Sequence, residues 1–133
     1  MSINVNTRAT AQPRGLRVRH EAGLLARAVF DLATTLPRGA RGDLADQLRR
    51  AASSVYANLA EGEGRSTTAD RLRLFTIAWG SLREVEAHLD LAEHAGMLTA
   101  PQLARARSHA RHVGRMLFAL RRKLSPQPLS PSS

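Results

Sequence analysis

The chain contains no cysteine, which excludes disulfides, thiolate nucleophiles and Cys-ligated zinc, and suits a reducing compartment. Aromatic residues make up only 4% of it, so the core must be built from Leu, Ala and Val, and no interleaved rings are present to stack nucleobases. No apolar run approaches the roughly 18 residues of a membrane span. The opening MSINVNTRATAQPRGLRVRH lacks the apolar stretch of a secretory signal. These absences predict a cytoplasmic protein without a membrane role. Acids are also missing from both ends, with none before Glu21 and none beyond Glu93.

What is present is one domain's worth of chain, 133 residues of which 43% are hydrophobic, enough to bury a single core. Ala, Leu and Arg dominate while strand formers are scarce, and that balance predicts an all-α fold. The net charge of +9 is unevenly placed. Residues 1–42 carry seven Arg against Glu21 and Asp31, residues 43–96 carry six Arg against nine acids, and residues 97–133 carry six Arg and Lys123 with no acid. Nineteen of the twenty basic residues are Arg. Basic ends around a balanced middle point to an anionic partner, of which nucleic acid is the commonest and a lipid surface the next.

Four apolar stripes repeat at spacings of three and four. The first joins Leu24, Leu25, Ala28, Val29, Leu32 and Leu36 and stops at Pro37, with Gly39 and Gly42 in the loop. The second begins near Asp43, places Leu44, Leu48, Ala51, Ala52, Val55 and Leu59 on one face, and ends at Gly62, expected as a left-handed cap, and Gly64. Ser66, Thr67 and Thr68 offer an N-cap for the third, with Asp70 in a capping-box position. Its stripe is Phe75, Ala78, Leu82, Val85, Leu89 and Ala92, widened by Leu74, Ile77, Trp79 and Leu91 beyond the needs of one bundle. Thr99 and Gln102 form a second capping-box pair, with Pro101 in the first turn. The last stripe, Leu103, Ala106, Ala110, Val113, Leu117, Leu120 and Leu124, is the seam of a left-handed bundle. Short connections predict an antiparallel up-down-up-down four-helix bundle over residues 19–124. A disordered basic arm over 1–18 precedes it, and a disordered Pro/Ser tail over 125–133 follows.

At 100° per residue, Arg107, Arg111, Arg115 and Arg122 fall within about 80° of one another, far from the Leu seam. Arg121, Lys123, His109 and His112 flank them, and Arg8, Arg14, Arg17 and Arg19 of the arm can join the stripe. The planar Arg fork makes two parallel charge-assisted bonds to phosphate. A basic face is ordinarily a solvated one, but this helix supplies no Asp or Glu for the i,i+4 pairs that stabilise such faces. With neither a helix-turn-helix nor an RNA-recognition signature, the expected mode is phosphate contact with RNA or DNA without sequence readout.

The same residues offer little to catalysis. The two Glu-x-x-His pairs of a di-iron bundle are absent. Ser53, Ser54 and Ser81 have no triad pattern about them, and Gly62 and Gly64 lack Walker spacing. His109 and His112 share a face without an acid in their own helix and read as surface histidines. The expectation is a non-catalytic protein with no cofactor and no metal.

The segments LADQLRRAASSVYANLAEGEGR and FTIAWGSLREVEAHLDLAEHAGML carry three motifs: Gln47 to Ala51, Ser54 to Gly62, and Gly80 to Glu86. In these the chain resembles the four-helix bundle family encoded by intervening sequences inside bacterial 23S ribosomal RNA genes, over about half its length. The resemblance implies a ring-like homo-oligomer, a pentamer, with a nucleic-acid association. It also implies distant kinship with the accessory proteins of diversity-generating retroelements, and so an alternative role as adaptor for a reverse transcriptase. Glu63, where the family often has an aromatic, and the Arg-rich extensions depart from the pattern. Physically the motif reads as packing. Ala51 to Ser54 let a neighbouring helix approach, Gly80 and Ser81 offer the matching surface, Asn58 and Glu61 bond the loop through Arg65, and Arg49 or Arg50 pairs with Glu84 or Glu86.

Overall fold

The computed structural model describes residues 14–39 and 43–128, with side chains from Arg17 onward. Four helices account for nearly all of it: α1 (Arg14–Ala33), α2 (Leu44–Glu63), α3 (Thr68–His94) and α4 (Ala100–Leu124), and there is no strand among the described residues.

Each boundary has a local cause. Asp43 caps α2, its carboxylate accepting from Asp46 N at 2.9 Å and Gly39 N at 3.0 Å. Those two backbone bonds hold its pKa below the usual carboxylate value, with smaller help from Arg49 and Arg38. Thr67 caps α3 by accepting from Asp70 N at 3.1 Å. Gly96, at φ +72°, reverses the chain after α3, while Met97 N and Leu98 N both return to Ala92 O. The capping box at α4 is complete, Thr99 N donating to Gln102 Oε1 at 2.8 Å and Gln102 N to Thr99 Oγ1 at 3.4 Å.

Helix α1 packs on α2 and α4, and α3 packs on the same two, while the diagonal pairs do not meet among the described residues. The core between them is almost wholly aliphatic. Leu25, Leu48, Leu59, Leu82, Leu89, Leu103 and Leu117 are the fully buried leucines, each contributing roughly 1.5–3 kcal/mol by leaving water.

Three expectations are corrected. Residues 14–18 are helical rather than part of a disordered arm: Val18, 1% exposed, begins the stripe Val18–Ala22–Leu25–Val29 and gives α1 an extra turn to bury. Residues 1–13 and 129–133, hence Arg8 and most of the tail, lie outside the described residues, as does Gly42. Gly62 is not a left-handed cap, since Gly96 alone among the described residues has positive φ. It is buried within α2, and a Cβ there would lie 2.5 Å from Phe75 Cε1, so the residue makes room for a ring. Gly80 is exposed with nothing within 4 Å of a would-be Cβ, and only its neighbour Ser81 faces α2.

Candidate nucleic-acid interface

The register of α4 sorts its basic residues into two groups. Arg107 lies between α3 and α4, 27% exposed, with Nη2 donating to Asp90 at 2.9 Å and to Glu93 at 2.8 Å. Those bonds, Glu93's foremost, raise its pKa and fix it as a guanidinium already neutralised. Arg105 reaches the other way, to Asp31 of α1 at 3.0 Å. The acids missing from α4 are thus supplied by its two neighbours, a pairing that i,i+4 spacing within one helix does not reveal.

Arg121 is 2% exposed. One turn beyond Leu117, it falls in the apolar register, stacks at 5.1 Å over Trp79 and donates from Nε to Thr76 Oγ1 at 3.3 Å. Burial lowers its pKa. Its expected place on the phosphate-facing stripe is therefore corrected: the guanidinium is part of the packing between α3 and α4.

Arg19 is likewise engaged, its Nε donating to Glu63 at 2.7 Å and Nη1 to Tyr56 Oη at 3.1 Å. The Glu63 hydrogen bond is the main cause of its raised pKa. Glu63, the departure from the family pattern, thus has a partner in the basic extension. Arg17 is exposed on the same helix, and the side chain of Arg14 lies outside the described residues.

The outward ridge that remains comprises Arg111, Arg115, Arg122 and Lys123, all exposed. Arg122 lies 5.6 Å over the ring of Phe118. Among the described residues, none of the four enters an ion pair within 4.0 Å. Beside the ridge, a polar groove of about 370 Å³ is lined by Arg83, Glu86, Asp90, Arg107 and Arg111 with two alanines.

The motif residues of α2 and α3 are structural in their contacts. Ser54 and Ser81 hydroxyls meet at 2.7 Å, and Asn58 Nδ2 donates to Ser54 O at 2.9 Å. Arg65 pairs with Glu61 at 3.2 Å, as the sequence suggests. The pairing of Arg49 or Arg50 with Glu84 or Glu86 does not form. Arg50 lies 3.4 Å from Asp46, Glu84 3.7 Å from His88 and Glu86 3.7 Å from Arg83, because partners three or four residues away on one helix are closer than those on the next. Desolvation raises the pKa of Glu86. His109 and His112 do have an acid, Glu21 of α1, which one-helix spacing also hides.

No helix among the described residues is long and apolar enough to cross a membrane. No curated protein matches the chain. Among solved structures, the chain is similar to a Bacteroides thetaiotaomicron protein of unknown function from the S23 ribosomal protein family, with a TM-score of 0.71 at 21% identity, covering 77% of this chain and 96% of that one. That likeness concerns the fold. The family model of the 23S rRNA-intervening sequence protein matches residues 14–119, and the chain belongs to that family.

Proposed function

We propose that the protein is a non-catalytic, homo-oligomeric bundle that binds RNA or DNA through phosphate contacts made by the outward ridge of α4. The observation carrying this reading is that Arg111, Arg115, Arg122 and Lys123 are exposed together and outside the ion pairs among the described residues, while Arg105 and Arg107 on the same helix are neutralised. Concentrated charge without compensation favours an anionic partner. Phosphate backbones meet that demand without base readout.

In this reading the protomer is an up-down-up-down bundle. Its support is the direction of the cross-helix pairs: Arg19 with Glu63, Ser54 with Ser81, Arg107 with Asp90, and Arg105 with Asp31. Assembly into a ring, as in a pentamer, is supported by large apolar side chains left at the surface, among them Phe30 at 40%, Ile77 at 43% and Leu91 at 53% exposure.

Fluorescence anisotropy with labelled RNA and DNA over a salt series tests the proposal. Four neutralised phosphates give a log–log salt slope of about −3 or steeper. Replacing Arg111 and Arg115 by Glu should weaken binding alike for all sequences and flatten the slope by about 1 per lost contact. Absence of binding at low salt would leave the exposed apolar side chains as the functional surface, and an adaptor for a protein partner as the role.

A further inference from the structure

We propose that Glu21 of α1 and His109 and His112 of α4 form a binding site for one divalent transition metal ion, zinc, that ties the first helix to the last. One ligand atom from each of the three lies within 4.8 Å of the other two. Both imidazoles turn Nδ1 toward the same carboxylate oxygen, Glu21 Oε2, at 2.5 Å from His109 and 3.5 Å from His112. Residues three apart on a helix differ by about 60° in azimuth, so both rings leave α4 on one side and lean across the seam.

The site is partly withdrawn from water. The Glu21 side chain is 16% exposed, His109 22% and His112 49%, which leaves an open side at His112. In the Nδ1–H tautomer both neutral rings donate to this carboxylate oxygen; in the Nε2–H tautomer both Nδ1 lone pairs face it, and three electron-rich atoms surround one point. A divalent cation at the common focus satisfies all three donors at once.

Ligand chemistry selects the metal. Two imidazole nitrogens and one carboxylate with a fourth position left to solvent are a zinc donor set, and they disfavour magnesium and calcium, which take oxygen ligands. Tetrahedral ligands at 2.0–2.2 Å from zinc stand about 3.4 Å apart. The Glu21–His112 spacing of 3.5 Å already suits that, and the Glu21–His109 hydrogen bond opens by about an ångström through rotation of the carboxylate.

The test uses the full-length chain, freed of any affinity tag and stripped with chelator. Zinc is titrated by calorimetry and cobalt(II) by visible absorbance. One ion per chain is expected, with micromolar or tighter affinity, the d–d bands of four-coordinate cobalt, and no response to magnesium. His112→Ala, which leaves the Glu21–His109 contact in place, should weaken binding by about tenfold or more, and so should Glu21→Gln. A zinc-dependent rise in Tm of about 10 °C at a hundredfold excess over Kd should fall to about half or less in both variants at the same zinc concentration. Failure of the parent chain to saturate, or binding unchanged in either variant, overturns the proposal.

Discussion

The seam between α2 and α3 and the seam between α1 and α4 are held by different means. In the first the contacts are short and depend on close fit: a hydrogen bond between the Ser54 and Ser81 hydroxyls, and Phe75 over a glycine that leaves no space for a methyl group. In the second the reach is longer and the chemistry ionic, with Asp31 to Arg105 and Glu21 to His109 and His112. It is also looser, with a groove of about 220 Å³ over Ala28, Leu32 and Ala106. A seam made by fit responds to single carbon atoms, whereas one made by charge responds to salt, protons and ions.

The sharpest way to break the comparison is Gly62→Ala. In an ordinary helix it would stabilise by up to about 1 kcal/mol. Here the Phe75 ring must move, and a loss of about 1–3 kcal/mol is expected in urea unfolding, partly recovered when Phe75→Leu is added. A neutral Gly62→Ala would remove steric fit as the basis of this seam. Next in size, Ser54→Ala and Ser81→Ala should each cost about 1 kcal/mol and couple by at least about 0.5 kcal/mol in a double-mutant cycle.

The groove between α3 and α4 lies between these extremes, and Glu86 probes it. Burial raises this carboxyl's pKa in the folded chain, so the folded state holds its proton more tightly than the unfolded state does. The associated stability is present below the unfolded value of about 4.3 and is lost as pH rises through the folded one. Glu86→Gln should therefore be slightly more stable than the parent at neutral pH, with the advantage fading below about pH 4 in denaturant midpoints taken at both values. The smallest effect should come from Arg105→Ala. With both partners more than 60% exposed, it should cost less than about 0.5 kcal/mol and nothing measurable in high salt, read by thermal melts.

Helix number, the three-four stripes and both Thr caps were legible because they depend on residues within one turn of each other. What depended on register between helices was not. The acids that neutralise Arg107 lie 14 and 17 residues away on α3, and Glu21 lies 88 residues from His109. The charge of Arg121 points to the surface, whereas its spacing from Leu117 puts it on the apolar face, where it is buried. Gly62 followed a helical run and looked like a cap. A glycine needed for φ and one needed for space are identical in sequence, and only the position of Phe75 separates them.

The packing of α1 on α4 joins the two ends of the described chain, and this bears on the order in which the bundle forms. The Arg107–Asp90 contact closes a loop of 17 residues, while His109–Glu21 closes one of 88. The difference in closure entropy is about 1.5 kcal/mol. Hairpins of sequential helices can form early, and the first and last helices must then find each other across nearly the whole chain. A cation that recognises only the finished junction would therefore act late, slowing the reopening of the bundle more than it speeds its assembly.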